Sequence, residues 1–117
     1  MVRYVTAALD KPDYALERPF CRKGAVIGVD EAGRGPWAGP VTATAFWINP
    51  ERKDNLPKSL TDSKKLSALK REQIRQELCA LDNGHLWAIR HTSVVEIDRA
   101  GILPATFSAM ADAVYSL

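Results

Sequence analysis

Two adjacent carboxylates, Asp30 and Glu31, follow a short apolar run. Carboxylates at the end of a buried strand are costly unless solvent or a cation neutralises them. Hard oxygen ligands of this kind suit Mg²⁺ or Mn²⁺, which keep several waters and share the rest of their shell with a phosphate. The pair therefore indicates a candidate catalytic and metal-binding site. A solvated acidic turn is the alternative that the pair alone leaves open.

A glycine-rich segment comes directly after the carboxylates. Successive strand side chains point to opposite faces, so both carboxylates converge only if the pleat is broken, and residues 32–36 are predicted to supply that break. Gly33 and Gly35 would let a sugar-phosphate approach the main chain, whose amides could then read a 2′-hydroxyl. Arg34 would add a phosphate contact. A plain tight turn is the alternative interpretation.

A second polar cluster, Ser63, Lys64 and Lys65, lies just ahead of a predicted helix. Backbone amides and the helix dipole favour anions at such a position, so the cluster is predicted to hold a phosphate. A solvated, capped helix start is the alternative. His85 and His91 lie near the ends of a predicted strand, and neither is assigned a metal role.

The glycine-rich segment also fits, formally, the dinucleotide-binding fingerprint, through Gly33, Gly35 and Ala38. That fingerprint needs a helix to start at the turn and present its N-terminus to a pyrophosphate, whereas Gly39-Pro40 and a β-branched run follow here. The two carboxylates would also repel a pyrophosphate. A nucleotide-cofactor binding module is therefore the least favoured function.

The hydrophobic pattern predicts the elements that position these residues. Strands are predicted at 25–29, 41–48 and 86–89, with the first two antiparallel. Helices are predicted at 67–81 with Ser67 as N-cap, near Ile97 behind a capping box that begins at Ser93, and from Pro104 onward. The side chains predicted to face the core from the first and last helices are Leu69, Ile74, Leu78, Leu81, Phe107, Met110 and Val114.

Length and composition bound the class of protein. The 117 residues, 46% hydrophobic and 26% charged, fit one globular domain, with residues 1–24 predicted as an extension and 25–117 as the domain. A net charge of +2 means that nucleic-acid binding would need a local basic face. Cys21 and Cys79 show neither a zinc nor a disulfide pattern and are predicted to be reduced thiols. No membrane span or secretory signal is predicted, which favours the cytoplasm.

The segment from Gly28 to Val41 closely resembles the signature of ribonuclease HII, the bacterial type 2 ribonuclease H. Residues 62–67 are similar to the second conserved block of that family, and residues 96–99 with 105–114 resemble its third. The resemblance extends over about residues 12–117. It implies an α/β, ribonuclease H-like fold with an incomplete mixed sheet, whose first three strands are antiparallel, and flanking helices.

The resemblance also implies a reaction. Asp30 and Glu31 would be two of four acidic metal ligands, residues 33–35 would recognise the 2′-hydroxyl, and Lys64 and Lys65 would steady phosphates. The substrates would be RNA–DNA hybrids and DNA duplexes that contain ribonucleotides, hydrolysed on the 5′ side of a ribonucleotide by a two-metal mechanism with Mg²⁺ or Mn²⁺. The products would carry a 3′-hydroxyl and a 5′-phosphate. Neither a membrane nor an obligate protein partner is predicted.

The two remaining acidic ligands of the family come from a following strand and helix, before which this sequence ends. Asp82, Asp98 and Asp112 do not occur in the family's context for those ligands and are interpreted as cap or surface residues. We therefore expect a truncated, N-terminal portion of the catalytic domain that is inactive alone. An inactive remnant that binds nucleic acid is the alternative.

Overall fold

The computed structural model describes residues 12–36, 38–80 and 82–117. At its centre is a three-stranded antiparallel sheet in the order β1-β2-β3. The strands are β1 (Ile27–Ala32), β2 (Val41–Trp47) and β3 (Leu86–Thr92). The helices are α1 (Ala68–Leu78), α2 (Val94–Ala100) and α3 (Ile102–Tyr115), and two 3-10 helices span Pro50–Asn55 and Ser63–Lys65. The expected α/β class, element order and antiparallel pairing are confirmed, and the two 3-10 helices occupy what was predicted as a loop.

One face of the sheet packs against α3 and forms the core. Its side chains are small, and the buried residues of this layer are Val41, Ala43, Ala45, Ala88 and Thr92 on the sheet and Ala105, Thr106, Ala109 and Ala113 on the helix. Small residues on both sides let the helix backbone approach the sheet closely. The Thr92 hydroxyl donates to the Ala105 carbonyl across the interface (2.9 Å), which satisfies a buried polar group.

The opposite face of the sheet lies under α1, with a cavity of about 370 Å³ between them. The sheet side of this cavity carries Thr44, Phe46, Trp87 and Ile89, which share one face by register. The helix side includes Ile74, the only buried residue of α1. This face is therefore less densely packed than the α3 face.

The predicted core-facing stripes are partly wrong. Leu69 is 71% exposed and Phe107 is 60% exposed, whereas Ile74 is buried as expected. Met110 and Val114 are half-buried at the flank of α3. Helix α3 presents its alanines to the sheet, because the helix and the sheet lie too close together for a phenylalanine to fit between them. Phe107 lies on the far side of the helix. Leu81 lies outside the described residues.

Element ends differ from the predictions by a few residues. β1 begins two residues later than predicted and continues to Ala32, and β3 continues to Thr92. Helix α1 ends at Leu78 because Asn83 Nδ2 donates to the carbonyls of Glu77 (3.3 Å) and Leu78 (2.6 Å), which satisfies the last turn.

The predicted N-caps are confirmed. Ser67 Oγ accepts from the Lys70 amide (3.2 Å) and Ser93 Oγ accepts from the Glu96 amide (3.3 Å). Cys21 and Cys79 are both unpaired in the structure. Across the described residues, the helices are too short or too polar to cross a membrane.

A buried polar network joins the end of α1 to the start of β3. Asn83 Oδ1 accepts from the His85 amide (2.8 Å), and His85 Nδ1 accepts from the Asn49 amide (3.1 Å). An Nδ1 that accepts must carry no proton, so the ring proton is on Nε2, which is buried without a partner among the described residues. Burial lowers the pKa of His85 below its ordinary 6.5. His85 thus joins the segment before β3 to the Asn49 main chain.

Candidate active site

Strand β1 places Asp30 and Glu31 in a regular ladder with β2. Asp30 lies opposite Thr44, and Glu31 lies opposite Ala43. Because adjacent strand residues point to opposite faces, Asp30 is on the α1 face of the sheet and Glu31 is on the α3 face. The bend lies at residues 33–36, within the predicted segment, but the regular ladder continues through Ala32, so the bend follows both carboxylates and does not bring them to one face.

The Asp30 carboxylate is exposed and has one local hydrogen bond, in which Oδ1 accepts from the Glu31 amide (2.9 Å). In the described part of the chain β1 pairs only with β2, so its outer edge is open beside this carboxylate. Glu31 is half-buried, and its row on the α3 face continues through Ala43 to Arg90 of β3. The two carboxylates thus lie in different surroundings although they are adjacent in sequence.

The donor chemistry of the site fits a hard divalent cation only in part. Asp30 and Glu31 supply oxygen donors of the type that Mg²⁺ and Mn²⁺ prefer. Within residues 12–36, 38–80 and 82–117, however, no three histidine, cysteine, aspartate or glutamate side chains come together in a group that could hold a metal ion. Asp30, accessible at an open strand edge, can be a single ligand of a largely hydrated ion, and a complete shell needs further donors.

The turn after β1 depends on Gly33. This residue has a φ of 85°, and a Cβ placed on it would lie 2.5 Å from the Pro40 carbonyl oxygen. Only glycine accepts both the left-handed backbone and this close approach. The turn therefore folds back on the segment that leads into β2.

Beyond Gly33 the turn is open. Arg34 and Gly35 are exposed, and a Cβ on Gly35 would meet nothing within 4 Å. The described residues between Gly33 and Pro40 form bends rather than a helix, and β2 begins at Val41. Among the described residues of this turn no helix begins, which contradicts the dinucleotide-binding alternative, because that fingerprint needs a helix N-terminus at the turn. Trp37, part of the signature segment, lies outside the described residues.

The second polar cluster forms a 3-10 turn immediately before α1. Its N-cap is Asp62, whose Oδ1 accepts from the Lys64 amide (3.0 Å). Ser63, Lys64 and Lys65 are exposed, and no acidic residue occupies the first turn of α1. The predicted position just ahead of a helix is confirmed.

The structure places the 3-10 turn over the same sheet face as Asp30. Ser63 and Thr44 both line the cavity under α1, and Thr44 is the register partner of Asp30. Asp30 and the basic turn are therefore on one side of the sheet, while Glu31 is on the other. Sequence spacing alone did not indicate this division.

Arg71, in the first turns of α1, is a residue that the sequence analysis missed. Its Nη1 donates to the main-chain carbonyls of Ser63 (3.3 Å) and Leu66 (2.7 Å). The available signal was an arginine near a helix N-terminus, where the helix dipole disfavours a cation unless other groups compensate.

His91, at the other end of β3 from His85, is exposed and bonds Thr42 Oγ1 through Nδ1 (2.7 Å).

Comparison with known proteins identifies relatives over this whole region. The family model described as Ribonuclease HII matches residues 27–117. Proteins named Ribonuclease HII from Rhodopseudomonas palustris (strain BisB18), Paracoccus denitrificans and Caulobacter vibrioides are 44%, 47% and 46% identical over 94%, 91% and 91% of the chain. The aligned region is 40%, 49% and 47% of those proteins, so the chain spans less than half the length of the curated relatives that it matches.

Proposed function

The chain belongs to the ribonuclease HII family, and we propose that it supplies part of the active site of an endonuclease that acts on RNA paired with DNA. The proposed substrates are RNA–DNA hybrids and DNA duplexes with embedded ribonucleotides, cut on the 5′ side of a ribonucleotide. The observation that carries the proposal is the placement of Asp30 and the basic 3-10 turn on one side of the sheet. The proposed setting is ribonucleotide removal during DNA replication and repair in the cytoplasm.

Asp30 is the proposed metal-binding residue of the α1 face, and Glu31 the second acidic ligand. When bound, Mg²⁺ or Mn²⁺ would activate water and stabilise the leaving oxygen of the phosphodiester. Asp30 would hold the cation at the open edge of β1, where a duplex backbone can reach it. Glu31 points to the α3 face, away from Asp30. The proposed metal site therefore requires either a change in the conformation of β1 that brings the two carboxylates together, or further carboxylates beside Asp30.

The glycine turn is the proposed reader of the ribose. Gly33 holds the turn closed against Pro40, and the open space at Gly35 leaves the main chain accessible to a sugar. Backbone amides of this segment would bond the 2′-hydroxyl, the group that distinguishes RNA from DNA. Arg34, exposed beside them, would contact an adjacent phosphate.

The 3-10 turn is the proposed phosphate contact. Ser63, Lys64 and Lys65 are exposed and lie just before the N-terminus of α1. Lysine ammonium groups neutralise phosphates without reading sequence, which suits an enzyme that recognises a sugar rather than a base. Their position on the Asp30 side would bring the scissile phosphate and its neighbours to the same face.

A second candidate function is nucleic-acid binding without catalysis. It is favoured by the division of the two carboxylates between opposite faces and by the lack of a three-ligand cluster in the part of the chain that the structure describes. Both candidates use the same turns to contact the substrate. They differ only in whether this chain cleaves.

The deciding experiment is cleavage of a labelled DNA duplex containing one ribonucleotide, with Mg²⁺ or Mn²⁺, by this chain and its Asp30→Asn variant. Asp98→Asn, an exposed aspartate of α2, is the matched control. Cleavage 5′ of the ribonucleotide that is lost only in Asp30→Asn supports the enzyme. Binding that prefers the ribonucleotide duplex over all-DNA, without cleavage, supports the second candidate for the isolated chain. Absence of cleavage and of binding to either duplex refutes both candidates.

The glycine turn has its own test. Gly35→Ala should keep the fold, since nothing lies within 4 Å of the added Cβ, but should obstruct the approach of a ribose. We expect it to reduce the preference for the ribonucleotide duplex while the affinity for all-DNA stays the same. An unchanged preference would contradict the role given to this turn.

A further inference from the structure

Arg71 holds the main chain on both sides of Lys64 and Lys65. Its Nη1 bonds the carbonyl of Ser63 before the two lysines and the carbonyl of Leu66 after them. The same Ser63 carbonyl accepts from the Leu66 amide (3.2 Å), and the Asp62 carbonyl accepts from the Lys65 amide (2.9 Å). The guanidinium therefore closes a short turn whose own hydrogen bonds are few.

The position of Arg71 explains how it reaches this turn. Helical side chains lean toward the N-terminus, so a residue in the first turns of α1 extends back over the segment that precedes the helix. A cation there is disfavoured by the helix dipole and needs acceptors. The carbonyls of Ser63 and Leu66 provide them, and bonds from a charged donor are stronger than neutral ones.

A single 3-10 turn is a weak structure without such support. Runs of 3-10 helix are short because their hydrogen-bond geometry is poor, and this one spans Ser63–Lys65 with no buried residue. Lysine side chains on a mobile turn would lose conformational entropy on each phosphate contact. Fixing the turn beforehand reduces that loss.

We propose that Arg71 is a positioning residue, which fixes the 3-10 turn so that Lys64 and Lys65 meet the substrate phosphates on the Asp30 side of the sheet. The inference rests on the proposed function, because it takes the two lysines to be phosphate contacts. Arg71 acts by holding the turn through its two hydrogen bonds, and it does not itself contact a phosphate. A lysine in its place keeps the charge but has a shorter, more strongly hydrated head that fits the two carbonyls poorly.

The test compares Arg71→Lys with Arg75→Lys in the full chain. Arg75 is the matched control, since it lies one turn further along α1 and bonds the exposed Glu72 carboxylate rather than the 3-10 turn. Amide hydrogen exchange of Lys65 and Leu66 reports the turn without any nucleic acid. Affinity for a short RNA–DNA hybrid over a range of salt reports the phosphate contact.

For Arg71→Lys we expect faster exchange at Lys65 and Leu66 and roughly threefold to tenfold weaker hybrid binding. The slope of log affinity against log salt should stay unchanged, because the number of cations is conserved. Arg75→Lys should change neither quantity. Unchanged exchange in Arg71→Lys, or faster exchange with unchanged affinity, would overturn the positioning role.

A double variant, Lys64→Ala with Lys65→Ala, separates this inference from the function on which it rests. If it leaves hybrid affinity and salt slope unchanged, the proposed phosphate contact is wrong, and the positioning role is overturned with it. If it weakens binding and lowers the salt slope while Arg71→Lys does not weaken binding, the phosphate contact stands and the role of Arg71 alone is refuted.

Discussion

Replacement of Gly33 by alanine should destabilise the fold far more than the same replacement at Gly35. Gly33 has a φ of 85°, and this left-handed backbone costs an alanine about 1–2 kcal/mol. The new Cβ would also lie 2.5 Å from the Pro40 carbonyl oxygen, and the backbone shift that relieves such overpacking typically costs about 1–3 kcal/mol. The reduced entropy of the unfolded chain offsets up to about 1 kcal/mol.

The net loss expected for Gly33→Ala is about 2–4 kcal/mol, whereas Gly35→Ala, with open space around its Cβ, should stay within about 0.5 kcal/mol. Thermal unfolding followed by far-ultraviolet circular dichroism measures both. Since 1 kcal/mol shifts the Tm of a domain of about 100 residues by roughly 4–8 °C, the Gly33 variant should melt roughly 10–30 °C lower. Equal Tm values for the two variants would refute the close approach of Gly33 to Pro40 on which the reasoning depends.

Three further predictions concern the packing and polar network. Burial lowers the pKa of His85 below 6.5, so the unfolded chain binds a proton at this histidine more readily than the folded chain, and the free energy of unfolding falls as pH decreases below about 6.5. His85→Gln should make the free energy of unfolding less dependent on pH in this range. An equal effect of His91→Gln would contradict the assignment of this dependence to His85. Ala109→Leu should lower the free energy of unfolding by about 1–3 kcal/mol, because the larger side chain overpacks the layer between α3 and the sheet. Phe107→Ala, at an exposed position of the same helix, should lower it by less. Asn83→Ala should lower the free energy of unfolding by roughly 2–3 kcal/mol, because three side-chain hydrogen bonds are lost. A loss under about 1 kcal/mol in denaturant unfolding would argue against these hydrogen bonds.

Local signals in the sequence determined the three strands, the three α-helices and their order. A β-branched run predicts a strand, and a serine whose hydroxyl can accept an amide three residues later predicts a helix start, as at Ser67 and Ser93. These signals act between neighbouring residues, so they hold before the chain folds. The same is true of the signature around Asp30 and Glu31, which identified the family from contiguous residues.

Which face each residue occupies was decided by the tertiary structure. The sequence placed Asp30 and Glu31 together, but the register with β2 continues through both and sends them to opposite faces. The hydrophobic pattern selected Phe107 for the core of α3, but the small side chains of the facing sheet admit only the alanines. Arg71 acquired its partners only because the chain before α1 turns back within its reach. The faces of the two carboxylates depend on the pairing of β1 with β2, and the burial of α3 depends on the spacing between the helix and the sheet. The partners of Arg71 are close in sequence, but they come within its reach only through the conformation of the turn before α1.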